Sequence, residues 1–292
     1  MPSDRIFVFD SGVGGLPYLE ALRLRIPEVP CHFAADREGF PYGRKTREEV
    51  RALVIDRVGR IADRFSPRLI VLACNTASQA ALEAVRERFP EIAFVGTVPA
   101  VKPAAQSSRT GTIAVLSTDR AAVDPYLDSL VDRWARGVRV LRVGAQGLVE
   151  FVERDFLDAS EEERLAACRA ALEPIRGEGA DRVVLACTHF LHVADYIARA
   201  AGPEVRVVDS RAGVARRAAE LFRETGASAD GTSAAGASAA GASAAGASAA
   251  GASVNREPGL GRGGFYATGD SGSWAGLKPY AERYGLSFEG AL

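Results

Sequence analysis

Two short stretches of this chain are near copies of one another. Leu72-Ala-Cys74-Asn-Thr-Ala-Ser78 and Leu185-Ala-Cys187-Thr-His-Phe190 each run from an apolar segment through Ala and Cys into a polar pair. A thiol that ends a strand and opens a helix sits where backbone N–H groups and the helix dipole favour its thiolate, and the polar pair beside it can cap the helix or hold an anion. His189, two residues beyond Cys187, can position or polarise that thiol, and Asp10 can do the same for Cys74. Cys31 and Cys168 have no such setting and read as core or helix-face residues, while His32 and His192 read as structural.

Asp10 begins a second informative stretch, Asp10-Ser11-Gly-Val-Gly-Gly15. Gly12, Gly14 and Gly15 after an apolar run, with Asp36 ending the next run, invite comparison with a dinucleotide-binding turn. Pro17 stands where that turn wants its third Gly, and Asp10 would face a pyrophosphate, so a nucleotide is disfavoured. A tight strand-to-helix turn that needs Gly is one alternative. The preferred reading is a small anion such as a carboxylate, held by the free N–H groups of a glycine-opened helix start.

Such residues need elements to hold them. Short β-branched runs at 6–9, 31–34, 69–73, 93–95, 112–116, 138–143, 183–186 and 205–208 alternate with segments of helical spacing, such as Val50, Leu53, Val54, Arg57, Val58 and Ile61. The alternation predicts an α/β fold with mostly parallel sheets covered on both faces. Eight strands can close one barrel or form two open sheets; Pro99, Pro103 and the stretch 106–111 read as a crossing point, which favours two doubly wound sheets. Ligands of open α/β sheets bind outside the carboxyl ends of the strands, and the turns at Asp10, Cys74, Ser117-Thr118 and Cys187 all follow strands. They can therefore converge on one crevice.

Residues 226–264 break this pattern. Four tandem copies of Ala-Ala-Gly-Ala-Ser fill 234–253, and Gly at every fifth position costs a helix about 1 kcal/mol each time, so a flexible low-complexity insert is expected. Ordered sequence resumes at 265–270 and in the amphipathic stretch 274–284, so the insert interrupts a folded domain.

Composition narrows the class. The chain has 292 residues, 47% hydrophobic and 25% charged, which suits a globular protein of about two domains. Lys and Arg number 36 against 37 Asp and Glu, so no basic field exists for a nucleic-acid backbone or an anionic membrane. No apolar run approaches the ~18–20 residues of a spanning helix, and the first residues lack the basic start of a signal peptide. A cytoplasmic protein with neither nucleic-acid nor membrane partners is expected, its four cysteines being thiols without CxxC spacing.

In order along the chain, Asp10-Ser-Gly-Val-Gly-Gly15, Pro41-Tyr42-Gly43, Cys74-Asn-Thr-Ala-Ser78, Cys187-Thr-His189, Val208-Asp-Ser210 and Tyr266-Ala-Thr-Gly-Asp270 resemble the glutamate racemases, of the cofactor-independent aspartate/glutamate racemase superfamily. The resemblance runs from about residue 5 to 284, apart from the repeat. It implies two pseudo-symmetric α/β domains, 1–98 plus 211–292 and 99–210, with Cys74 and Cys187 facing each other across the cleft between them. It implies that these thiols are the acid/base pair, that Asp10 assists Cys74, and that His189 assists Cys187. Ser11, Tyr42, Gly43, Asn75, Thr76, Thr118 and Thr188, together with Asp10 and His189, would hold the amino acid. Glu150 matches the family's Glu near the second thiol, but 144–147 departs from the family's Cys- and Pro-bearing run, which makes Glu153 the alternative. Ala121 stands where the family has a second Thr, and Leu191 where it has Pro.

The resemblance further implies glutamate as substrate, D-glutamate supplied for peptidoglycan and hence for the cell wall and cell shape, and neither cofactor nor metal. It leaves a homodimer open. Rival readings are a relative acting on aspartate, another amino acid or a hydantoin; a metal-binding module using Cys74, Cys187, His189 and Asp10; and a redox pair closing a Cys74–Cys187 disulfide.

Overall fold

The computed structural model describes residues 3–229 and 263–292. Its strands are β1 (Ser3–Asp10), β2 (Cys31–Ala35), β3 (Pro67–Leu72), β4 (Ala93–Gly96), β5 (Thr112–Ser117), β6 (Arg139–Gly144), β7 (Arg182–Leu185), β8 (Arg206–Val208), β9 (Gly264–Ala267) and β10 (Ser287–Ala291). They form two sheets, β10-β9-β2-β1-β3-β4 and β6-β5-β7-β8, and every pairing within them is parallel. The order β2-β1-β3-β4 recurs as β6-β5-β7-β8, so β1 corresponds to β5 and β3 to β7. The fold is α/β and doubly wound, with all eight expected strands in place.

The helices are α1 (Leu16–Arg23), α2 (Arg47–Phe65), α3 (Asn75–Arg88), α4 (Val101–Ser107), α5 (Asp119–Ala122), α6 (Pro125–Trp134), α7 (Gln146–Arg154), α8 (Glu161–Leu172), α9 (Ala194–Ala201), α10 (Arg211–Ala229) and α11 (Lys278–Arg283). The central strands bury both faces, which is why they read as continuous apolar runs. Phe7 and Phe9 of β1 join the core beneath α2 and α3, while Ile6 and Val8 enter the large core that both sheets share. In β5, Ile113 and Val115 face the core holding Val101 of α4 and Leu127 and Leu130 of α6, and Ala114 and Leu116 face the shared core. In α2 the expected stripe is realised, with Val50, Val54, Arg57, Val58 and Ile61 buried behind a Thr46/Glu49 capping box.

The chain crosses between the sheets near residue 100 through α4, which accommodates Pro103 in its first turn, where a missing N–H breaks no bond. The repeat at 234–253 lies outside the described residues, but the insert's expected edges do not match. Helix α10 continues through 226 to Ala229, its apolar seam of Val214, Ala215, Ala218, Ala219 and Phe222 buried, and β9 already starts at Gly264. Strands β9 and β10 extend the first sheet beyond β2, a position that the short Gly-containing segments did not signal. After β8 the chain returns to the first sheet, where α10 packs on α1, β3 and β4. Among the described residues no helix is long and apolar enough to cross a membrane.

Candidate active site

In each sheet the strand order reverses between two central strands, β1 and β3 or β5 and β7, and a crevice opens at their carboxyl ends. The turns after these four strands and the β2–α2 connection line one cleft. Cys74, Asn75, Thr76 and Ser11 come from the first sheet's turns, Cys187, Thr188, His189 and Thr118 from the second's, and Tyr42 and Gly43 from the connection. The cleft thus brings together ten of the twelve site residues expected from sequence. Asp10 lies just behind Ser11, fully buried, and Glu150 lies elsewhere.

Cys74 is the N-cap residue of α3, with extended backbone, as its motif predicted. Its electrostatics differ from the expectation: burial, and then the neighbouring Asp10 carboxylate, push its thiol up to about 12, more than α3's first turn offsets. Ser11 connects the two groups, its Oγ lying 3.3 Å from Asp10 Oδ1 and 3.8 Å from Cys74 Sγ. Burial also raises the Asp10 carboxyl, against the opposing charge of His189 and the Gly12 N–H. Asp10 Oδ2 and Asn75 Oδ1 are buried without a hydrogen-bond partner. Two orphaned acceptors behind and beside a thiol suit a ligand that brings N–H donors.

Cys187 does not open an α-helix. The residues after it, Thr188–Val193, form a 3-10 segment, and α9 begins only at Ala194. Thr188, His189, Phe190, Leu191 and Val193 are all buried, which leaves no polar face for a surface helix. What stands beside this thiol is a side chain rather than a helix dipole: His189 Nδ1 is 3.6 Å from Cys187 Sγ, and His189 Nε2 is 2.6 Å from Glu153 Oε1. Burial opposes a charge on His189, but its bonds to Cys187 and Glu153 outweigh that and raise it well above the usual imidazole range. Burial would likewise raise Glu153, but His189, the Val13 N–H and Arg37 hold its carboxyl below the ordinary value.

Glu150, expected here, instead bonds Arg44 at 2.6 Å and lies 3.5 Å from Arg154 at the surface. In α7 the core face carries Leu148, Val149, Val152 and Glu153; helical spacing turns position 150 away from it. Glu153 is the residue that reaches the histidine.

The glycine turn after β1 owes its composition to close approach. A Cβ on Gly12 would lie 2.1 Å from Glu153 Oε1, one on Gly14 2.3 Å from Thr188 Oγ1, and one on Gly15 2.8 Å from Ala73 Cβ. The turn's N–H groups are not free for the small anion expected there but hold the protein's own carboxylates: Gly12 N–H donates to Asp10 Oδ1 and Val13 N–H to Glu153 Oε1, both at 3.0 Å.

Sequence reasoning missed the support of the cleft wall at Tyr42. The Tyr42 hydroxyl donates to Asp36 Oδ2 at 2.7 Å, while Asp36 Oδ1 accepts from Arg57 Nε, the Gly39 N–H and Thr268 Oγ1. The one available signal was Arg57 on the apolar face of α2, where a charge is retained only with a partner. Thr118 caps α5 by accepting from the Ala121 N–H. Cys31 and Cys168 are buried in the core; His32 stacks on Phe7, and His192 bridges Val13 O and the Tyr284 hydroxyl. None of the four cysteines is in a disulfide. Among the described residues, no three or more His, Cys, Asp and Glu side chains gather as a metal-binding group, so the four-residue metal module does not assemble.

A two-sheet α/β fold with paired Cys turns at equivalent strand ends defines a class of racemase. The chain belongs to the Asp/Glu/Hydantoin racemase family, whose model matches residues 19–218. It is 44% identical over 222 residues to the glutamate racemase of Sphingopyxis alaskensis, a match covering 75% of this chain and 82% of that protein. To the glutamate racemase of a Roseiflexus species it is 38% identical over 221 residues, covering 76% and 80%. Among solved structures it is similar to Escherichia coli glutamate racemase in complex with L-glutamate and the activator UDP-MurNAc-ala, with a TM-score of 0.81 and 29% identity over 100% of this chain and 98% of that one.

Proposed function

We propose that this protein interconverts L- and D-glutamate by moving protons between the substrate's Cα and two thiols, without a cofactor. The observation that carries the reading is that Cys74 and Cys187 follow corresponding strands, β3 and β7, of two different sheets and line the same cleft. In one direction the thiolate of one cysteine takes the Cα proton and becomes a thiol, leaving a carbanion-like centre. The thiol of the other cysteine then delivers its proton to the opposite face and becomes the thiolate. In the reverse direction the states exchange.

The surroundings suit that division. Cys74, its thiol pushed up to about 12, holds its proton, and Asp10 behind Ser11 is the acceptor through which it loses it. A bound ammonium group donating to Asn75 Oδ1, beside Cys74 in the cleft wall, supplies positive charge that offsets the repulsion disfavouring the thiolate. His189, held as imidazolium by Glu153, is the counter-ion for the thiolate that Cys187 becomes. Hydroxyls of Ser11, Thr76, Thr118 and Thr188 and nearby backbone N–H groups hold the carboxylates and stabilise charge developing in the transition state.

L-Glutamate is bound in the related Escherichia coli structure, which supports glutamate as the substrate. The same proposal comprises use of D-glutamate in peptidoglycan, a cytoplasmic homodimer, and domains at 1–98 with 211–292 and 99–210. Purified protein given L- or D-glutamate and followed by circular dichroism tests the activity. Signal decay from both enantiomers, unaffected by EDTA and dialysis and far slower with L-aspartate, is expected. Decay only with aspartate, or only after a cofactor is added, overturns the reading.

A further inference from the structure

Glu153 and His189 belong to the half of the molecule built on the second sheet, but the cation that completes their pair comes from the other half. Arg37, in the turn after β2, puts Nη1 3.1 Å from Glu153 Oε2, while Glu153 Oε1 takes the Val13 N–H and His189 Nε2. Each carboxylate oxygen is thus committed to a different partner, and a rotation that swings Oε1 off His189 breaks the Arg37 contact. The same guanidinium lies 5.3 Å from the centre of the Phe40 ring, and Phe40, a wall of the cleft, lies 5.9 Å from the His189 ring. The Arg37 side chain is 27% exposed against 3% for Glu153, so it closes the pair from the solvent side.

We propose that Arg37 is a positioning residue for the Cys187 side of the site: by fixing Glu153 it holds His189 on Cys187. The catalytic part of this inference rests on the racemase reading; the effect on the thiol does not. The groups facing His189 are Cys187 and Glu153, with Asp10 and His192 further off, and Arg37 acts on it through Glu153. Removing Arg37 takes away positive charge and frees the carboxylate, and both changes disfavour an anion at Cys187. Cys74, with Asp10 and Ser11, has no contact with Arg37 and keeps its reactivity.

The experiment compares wild type with Arg37→Gln and Arg37→Lys. Alkylation of Cys74 and Cys187 by iodoacetamide is followed separately by peptide mass spectrometry from pH 6 to 9, beside kcat and KM in both directions. In Arg37→Gln the Cys187 alkylation rate at pH 7 is expected to fall about tenfold. Cys74 stays within about twofold, kcat falls with KM nearly constant, and Arg37→Lys, which keeps the charge, recovers part of both losses. Unchanged Cys187 alkylation in both variants overturns the proposal, and so does faster alkylation of both thiols, which would make Arg37 a simple clasp. If the wild type leaves glutamate unchanged, the racemase reading fails while the alkylation result still decides the role of Arg37.

Discussion

The two thiols are equivalent in motif and different in surroundings. Cys74 leans on a buried carboxyl through a hydroxyl, Cys187 on a buried histidine whose charge a carboxylate secures. On the proposed two-thiol mechanism, Cys74→Ser and Cys187→Ser should each lower turnover at least ~10³-fold, because a serine hydroxyl is too weak an acid to supply the anion. Binding of glutamate, measured by calorimetry, should persist. In D2O the wild type should place solvent deuterium preferentially in the product enantiomer; equal early exchange into both would contradict two separate thiols. Glu153→Gln should lower kcat about 100-fold. Glu150→Gln, which loses only surface ion pairs worth ~0–1 kcal/mol, should stay within about twofold in the same assay. The cysteines, Asp10 and His189 were legible as residues because their types and neighbours are unusual. The choice between Glu150 and Glu153 was not, since it turns on which face of α7 meets the 3-10 segment at His189.

Elements decide how closely these groups approach. The β1–α1 turn slides against Thr188, His189 and Glu153 because Gly12 and Gly14 leave no side chain in the way. A methyl at Gly14 would meet Thr188 Oγ1 at 2.3 Å and the His189 backbone nitrogen at 2.9 Å, and backbone does not yield cheaply. Gly14→Ala should therefore cost ~1–3 kcal/mol in urea unfolding and depress kcat/KM at least tenfold. Gly147→Ala is the control: in α7, with nothing within 4 Å of its added Cβ, it should stabilise by ~0.4–1 kcal/mol and leave turnover unchanged. Strand positions were readable from their apolar runs, since strands covered on both faces leave little sequence ambiguity. The 3-10 segment after Cys187 and the added strands β9 and β10 were not, because local spacing carries no record of what will pack against it.

At the scale of the molecule, the two sheets are tied by contacts that sequence separation hides. His192, after the Cys187 turn, donates from Nε2 to Val13 O at 3.0 Å and accepts from the Tyr284 hydroxyl through Nδ1 at 3.1 Å, while the Tyr280 hydroxyl bonds Val152 O. Burial pushes His192 down to about 3, so it stays neutral in the fold. The unfolded chain takes up a proton near pH 6.5 that the folded chain refuses, so acidification from pH 7 to 5 costs stability, up to about 2 kcal/mol from this residue. His32, pushed down to about 4 by burial, acts with the same sign; His189, raised, acts with the opposite one and stabilises most fully below pH 6.5. Urea unfolding at pH 7 and 5 should show a smaller loss on acidification in His192→Gln than in wild type. Equal losses would show that His192 does not carry this term.

Sequence alone determined the α/β class, the eight principal strands, the two matched cysteine turns and the family resemblance, because each is a local pattern: apolar periodicity, a thiol at a strand end, a run of glycines. Only the tertiary structure decided that Glu153 rather than Glu150 meets His189, that Arg37 reaches across to Glu153, that the glycine turn holds the protein's own carboxylates, and that burial pushes the Cys74 thiol up. Those outcomes depend on which faces of distant segments meet and how completely water leaves between them, and neither is encoded in the spacing of neighbouring residues.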